Sequence, residues 1–449
     1  MEPQLKHGKV LTNTTRELHG ALDPIHTRFR KKLLARHVST NFHYWKACVQ
    51  RAIDRKWEIP ALFLLLRVLT SIVALVPSMF PRNGTFGKSE HSPLEVMIQV
   101  WPPSHPLALW IERIAVAPWQ RWDAKYFVAA VGRGFSTADG SASFHPLLVW
   151  LSAPINYVTG SPLFALLSIA TLSTLCLYFA FQELARFDLP NDIARRATLL
   201  FALYPFSYVF YAPYTESTFL LYAVLFFLFA RRRRWLLAGL CGAAATLARQ
   251  QGLFLIIPLM WELWASKERR PGALASIPLI AFAYLFWILY RTFALADSAP
   301  DVSTLQGLIY SVLISSSSRK VIAEQAFLFP PYAFYLALVK LWQEPNLAIL
   351  LDLTLGVFFA AISIAAWRNL RTSYRLYVLT ILLLSFSYNT GMIYSSTYMG
   401  LPRHLLLAFP IFIGLAPRLS DYASSKLYKV GFFGLLLLTF FHCIGVWVP

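Results

Sequence analysis

Charge is scarce in this chain of 449 residues. Asp, Glu, Lys and Arg make up 14% of it, where an ordinary soluble domain carries about 25%. Acidic side chains are the scarcest of these, 22 against 41 Lys and Arg. So little charge cannot coat a soluble surface of this size, which excludes a cytosolic globular enzyme. A hydrophobic content of 57% and a mean hydropathy of +0.51 exclude a disordered chain. Cysteines are few as well: Cys48, Cys176, Cys241 and Cys443 lie far apart, and no pair has metal-ligand spacing. A disulfide scaffold is excluded, and no metal site or cofactor is predicted. No GxxxxGK[ST] loop is present, and no GxGxxG follows a strand, so no nucleotide-sugar site is visible.

What the chain does have is a succession of apolar runs separated by basic clusters, the pattern of an all-α, polytopic membrane protein. The formal net charge of +19 sits between the apolar runs, as the positive-inside rule requires, so the partner it implies is the lipid bilayer and not nucleic acid. Residues 1–57 hold twelve Lys/Arg and four Asp/Glu and are expected to form a basic cytoplasmic arm, with an amphipathic surface helix near Phe42–Trp57. Residues 58–449 form the membrane domain. Loop 81–143 carries six basic and five acidic side chains, an asymmetry that places it on the extracytoplasmic side together with loop 293–345.

Eleven crossings are expected: Ile59–Phe80, Leu163–Phe181, Ala197–Ala212, Ser217–Ala230, Trp235–Arg249, Gly252–Trp264, Ala273–Thr292, Asn346–Ala366, Leu376–Ile393, His404–Leu415 and Val430–Val448. Clusters Arg231–Arg234, Lys267/Arg269/Arg270, Arg368/Arg371/Arg375 and Arg418/Lys426/Lys429 all face the cytoplasm if Phe144–Gly160 is a re-entrant or interfacial helix that does not cross.

That topology gathers Trp122-Asp123, Glu216, Arg249-Gln250 and Arg403-His404 at the extracytoplasmic ends of the spans. Charged groups in lipid cost roughly 2.5–3.5 kcal/mol on insertion scales and so face a cavity or a partner. Asp123, between Trp122 and Tyr126, suits general-base work on a hydroxyl; equally, it suits capping the helix that follows, with Trp122 an interfacial anchor. Glu216 either serves the site or complements a helix start capped by Thr215 or Ser217. Arg249 and Arg403 have the planar fork that matches a phosphate, while an ordinary turn at Gly252 explains the first as well. His145 and His404 are candidate substrate contacts or hydrogen-bonded structural residues. Arg319-Lys320 reads as a solvated loop tip.

The order of these motifs resembles the GPI mannosyltransferase 2 (PIG-V) family and its bacterial relatives among the GT-C glycosyltransferases. The similar stretches are Trp122-Asp123-Ala124 with Gly132-Arg133-Gly134-Phe135, then Phe144-His145-Pro146-Leu147, Leu199 to Glu216, Ala248 to Gly252, Gln343-Glu344-Pro345-Asn346 and the Arg403 segment. The resemblance implies a GT-C-like, inverting hexosyltransferase. It would move a sugar, usually mannose, from a polyprenyl-phosphate donor to a glycan or glycolipid acceptor. It carries the catalytic acid of the first extracytoplasmic loop onto Asp123. On this reading Arg249 and Arg403 bind the donor phosphate, Glu216 positions the acceptor or holds an arginine, and Trp122, Tyr126, His145, Gln250 and His404 line the substrate site. The Gln-Gly turn at 251–252 is closer to the bacterial branch, which favours a bacterial plasma membrane over the endoplasmic reticulum. A transporter or flippase for lipid-linked sugars is the alternative, and an inactive assembly subunit a third; metal dependence is left open.

Overall fold

The computed structural model describes residues 58–76, 115–137, 139–295, 304, 326–389, 397–398 and 400–446. The expected basic arm 1–57, the surface helix near Phe42–Trp57, much of both long loops and the Arg319-Lys320 tip lie outside the described residues. Two compact units divide the chain, Met1–Leu62 and Phe63–Pro449. Of the first, only the opening of a helix is described, and the second carries everything that follows.

Helices dominate. In chain order they are α1 (Glu58–Val76), α2 (Ala124–Arg133), α3 (Leu147–Thr159), α4 (Pro162–Arg186), α5 (Asn191–Ala202), α6 (Glu216–Arg231), α7 (Trp235–Ala248), α8 (Ile256–Ala265), α9 (Ser276–Ala294), α10 (Pro330–Gln343), α11 (Leu347–Trp367), α12 (Thr372–Ser387) and α13 (Asp421–Ile444). Short helices Pro271–Leu274, Leu401–Leu405 and Pro410–Leu415 join them. Among the described residues, strand pairing is confined to Ala326–Phe327 against Tyr388–Asn389, antiparallel.

The sequence accounts for the clean boundaries. Ser161 accepts from the Phe164 N–H at 3.3 Å and is followed by Pro162 at the first helical position of α4. Asn346 accepts from Ala348 N–H at 2.8 Å to open α11. Ser420 opens α13 in the same way, and Gly445, at φ +84°, closes it.

Among the described residues, five helical segments are long and apolar enough to cross a bilayer: Glu58–Val76, Pro162–Arg186, Pro271–Ala294, Leu347–Trp367 and Asp421–Ile444. The expected crossing Gly252–Trp264 begins as a 3-10 turn up to Leu255, and Leu376–Ile393 leaves the helix after Ser387 for the strand Tyr388–Asn389. Two more expected crossings are cut at a proline. The run Ala197–Ala212 stops being α-helical at Ala202 and continues as a 3-10 turn over Pro205–Phe210. The run His404–Leu415 is split into Leu401–Leu405 and Pro410–Leu415. In both, a proline that cannot donate to the helix ladder interrupts the run. A further difference lies in loop 293–345, which contains α10. Its Tyr332, Tyr335, Leu338 and Trp342 are exposed on one stripe, while Lys340 is buried.

The bundle has two chemically distinct ends. Helix α6 has 16 residues, about 24 Å at 1.5 Å per residue, with Glu216 at one end and Arg231 at the other. At the Arg231 end, Arg231 pairs with Asp188 at 2.7 Å, Arg371 with Glu262 at 3.3 Å, and Arg196 with Asp421. Here the Arg270 backbone N–H donates to Glu268 at 3.1 Å and holds that carboxyl below the usual carboxylate range. Between the ends runs an aromatic core. Phe181 stacks on Phe201 at 4.6 Å between ring centroids, and Phe227 meets Tyr374 and Tyr377 edge-on at 5.1 and 5.4 Å. Each such pair adds about 0.5–1.5 kcal/mol beyond its buried area. This core fixes α4, α5, α6 and α12 against the 406–412 segment.

Candidate active site

At the Glu216 end, four charged side chains from four separate stretches converge. Arg403 Nη2 lies 2.9 Å from Asp123 Oδ2, and its Nε lies 3.0 Å from Glu216 Oε1. Arg249 Nη1 reaches the same Glu216 oxygen at 2.9 Å and donates to Thr215 Oγ1 at 3.0 Å. Two guanidinium groups therefore close on two carboxylates, so the cluster is formally neutral, which makes its burial tolerable. Glu216, with its side chain 1% exposed, is the hub, and Asp123, at 23%, is the open edge. The Arg403 guanidinium also sits 5.1 Å above the Tyr214 ring.

These contacts bear on the helix-start readings of the two acids: Glu216 does stand in the first turn of α6, whereas Asp123 makes no capping bond. Asp123 occupies the N-cap position of α2 without a side-chain capping bond; its carboxylate turns to Arg403 instead. Thr215 stands at the N-cap of α6 and also makes no capping bond; its hydroxyl accepts from Arg249. Local helix chemistry has given way to tertiary pairing at both positions.

The backbone around Asp123 is firmly mounted. Trp122 adopts φ +51°, in the left-handed region that costs a non-glycine residue roughly 1–2 kcal/mol. On the residue before it, Arg121 Nε and Nη2 donate to the Cys443 carbonyl at 3.1 and 2.8 Å, and the Arg121 carbonyl accepts from Tyr214 OH at 3.1 Å. Arg67 of α1 donates to the Tyr211 carbonyl at 2.8 Å. On the opposite side, Arg249 leaves the end of α7 extended, and the Gly252 N–H returns to the Arg249 carbonyl at 3.0 Å. A Cβ at Gly252 would lie 2.2 Å from Thr246 N. Only glycine fits the turn that presents Arg249.

Of the other expected residues, His145 and His404 lie near the cluster's arginines. His145 interacts with the Thr246 backbone, feels Arg249 and Arg291, and lies over Tyr284 with ring centroids 6.4 Å apart. His404 feels both Arg249 and Arg403 and meets Tyr388 edge-on at 6.1 Å. Tyr126 stacks on Phe144 at 5.1 Å beneath Lys125 Nζ, which lies 4.7 Å from its ring. Gln250 is exposed at the start of the turn Gln250–Leu255. Sequence reasoning missed Thr215, Tyr214, Arg121 and Arg291 as members of the neighbourhood. For Arg291 a signal was present, since it is a single charge inside an apolar run. Among the described residues, no group of three or more His, Cys, Asp or Glu is placed to hold a metal ion.

No protein-family model matches the chain, and no curated protein matches it in sequence.

Proposed function

We propose that this protein is a membrane-embedded hexosyltransferase of GT-C type. It would have about eleven crossings plus a re-entrant or interfacial α3, with the Glu216 end facing the extracytoplasmic side of a bacterial plasma membrane. A polyprenyl-phosphate sugar, mannose by preference, is the donor, and a glycan or glycolipid hydroxyl the acceptor. The observation that carries this reading is the buried cluster of Asp123, Glu216, Arg249 and Arg403, in which the most open member is a carboxylate released from capping duty.

In the reaction, the acceptor oxygen attacks the anomeric carbon from the face opposite the phosphate. As that C–O bond forms, the hydroxyl proton passes to Asp123. The bond from the anomeric carbon to the phosphate oxygen breaks, and its electron pair leaves with the lipid phosphate. Glu216 holds both arginines in place. Each guanidinium carries five N–H donors, so those not directed at the acids or at Thr215 would meet the developing phosphate charge. Trp122, Tyr126, His145, Gln250 and His404 shape the sugar site.

The test is transfer of radiolabelled mannose from polyprenyl-phosphate-mannose to a lipid-glycan extract by wild type and by Asp123→Asn, both monodisperse and equally heat-stable. Loss of the base is expected to lower turnover by roughly 10²–10⁴-fold. Undiminished transfer by Asp123→Asn moves the base to another residue. Absence of transfer by the wild type overturns the transferase and favours a transporter of lipid-linked sugars.

A further inference from the structure

A single acid, Asp352, lies in the membrane-length helix α11 and is fully buried. A fully buried carboxylate on so apolar a helix is expensive unless it meets donors. One donor it meets belongs to the candidate site: the Leu401 backbone N–H donates to Asp352 Oδ1 at 3.1 Å. Leu401 opens the short helix that carries Arg403 and His404. The first N–H groups of a helix lack partners within it. Here Pro402 has no N–H, while those of Arg403 and His404 both turn back to the Gly400 carbonyl at 3.1 Å. The Leu401 N–H is the group left over, Gly400 has no side chain to cap it, and an acid from another helix does so.

The fit between the two elements is close. A Cβ at Gly356, one turn beyond Asp352 on α11, would lie 2.7 Å from Leu401 Cδ2. Buried Tyr398, just ahead of the short helix, feels the Asp352 charge. Buried Lys340 stands on α10, which packs against α11. The contact of Asp352 with the short helix is to its backbone, at the Leu401 N–H.

We propose that Asp352 is a positioning residue. By capping Leu401 it fixes the helix from which Arg403 grips Asp123 and Glu216, and so sets the placement of the catalytic carboxylate. This inference rests on the transferase reading for its kinetic consequence, but the contact itself is testable without it.

The experiment compares full-length wild type, Asp352→Asn, which keeps an acceptor oxygen, and Asp352→Leu, which removes it at similar volume. Amide hydrogen exchange is followed at Leu401, with the amides of α4 as control, beside steady-state sugar transfer. Asp352→Leu is expected to speed exchange at Leu401 by roughly ten-fold or more, leaving α4 unchanged. It should lower kcat on the order of 10²-fold with KM unchanged, as misplacement of a catalytic group does. Asp352→Asn should restore both. Gly356→Ala presses on Leu401 without touching the carboxylate and keeps the proposal testable if Asp352→Leu fails to fold; it should reproduce the loss in kcat. Unchanged exchange at Leu401 in Asp352→Leu overturns the capping contact. Faster exchange with wild-type kcat overturns the positioning role, as does an Asp352→Asn variant no better than Asp352→Leu. If exchange responds but the wild type transfers no sugar, the transferase reading falls and the contact between Asp352 and Leu401 stands.

Discussion

The two ends of the bundle use charge in opposite ways. At the Arg231 end, Arg231 with Asp188, Arg371 with Glu262 and Arg196 with Asp421 are separate pairs, and Asp421 is 96% exposed. Basic groups outnumber their partners there, as in Arg231–Arg234. At the Glu216 end, one network binds four groups from stretches as much as 280 residues apart, with Glu216 shared by two arginines. Isolated pairs near water are worth about 0–1 kcal/mol, whereas breaking a buried pair costs about 3–5 kcal/mol. At the first end only the Arg196–Asp421 pair is of the weak, solvated kind, while Arg231–Asp188 is largely buried; what sets the site end apart is that its charges share one carboxylate. That shared network is costly to build and to break, which is what a preorganised site requires.

The same substitution at both ends tests that contrast most severely. Glu216→Gln leaves two buried guanidinium groups without their shared carboxylate and is expected to destabilise by about 3–5 kcal/mol. Glu262→Gln keeps an acceptor for Ser373 Oγ, now at 2.5 Å, while its Arg371 partner is 44% exposed. Its cost is expected near 1 kcal/mol or below after solvent screening. Thermal unfolding in detergent measures both. Equal losses would erase the distinction between the ends.

Much of this arrangement was legible in the sequence, and the limits of that legibility have physical causes. The basic clusters and the site residues fall at alternate ends of apolar runs, so chain direction alone separates Glu216 from Arg231. What no local pattern reveals is pairing. Asp123 and Thr215 both stand where a capping residue belongs, and only the arrival of Arg403 and Arg249 from distant stretches draws their side chains away. Counting apolar residues also passes over Pro205 and Pro410, whose missing N–H ends the helical ladder inside runs that otherwise look continuous. It hides α10 too, because Lys340 and Gln343 dilute a helix whose apolar stripe is plain once the turns are drawn. Asp352 and Arg291 went unremarked for the opposite reason: each is one charge in a run long enough to absorb it on average.

A smaller effect is expected at the turn that presents Arg249. In Gly252→Ala the new methyl group meets the Thr246 and Ala245 backbone at 2.2 and 2.4 Å, so the turn must open. Overpacking of this kind costs roughly 1–3 kcal/mol, and the displaced Arg249 should lower turnover further. The matching change at the other end, Gly272→Ala, meets nothing within 4 Å and should leave both quantities unchanged. Loss of transfer in Gly252→Ala with unaltered stability would sharpen the contrast, since it would assign the effect to the placement of Arg249.

The smallest effect belongs to Asp421→Asn. Its carboxylate is almost wholly in solvent, and Arg196 keeps two other acceptors, the Ala416 carbonyl at 3.3 Å and the Leu419 carbonyl. The carboxylate adds only a screened attraction and a favourable charge at the start of α13, worth about 0.3–1 kcal/mol at low ionic strength. Transfer should match wild type, and any drop in melting temperature should vanish as salt is raised, because screening removes from the wild type the attraction that the substitution has already removed. A salt-independent drop would mean that Asp421 works as Glu216 does, through a pair that water does not reach. The Arg231 end would then hold a second buried network in place of separate pairs.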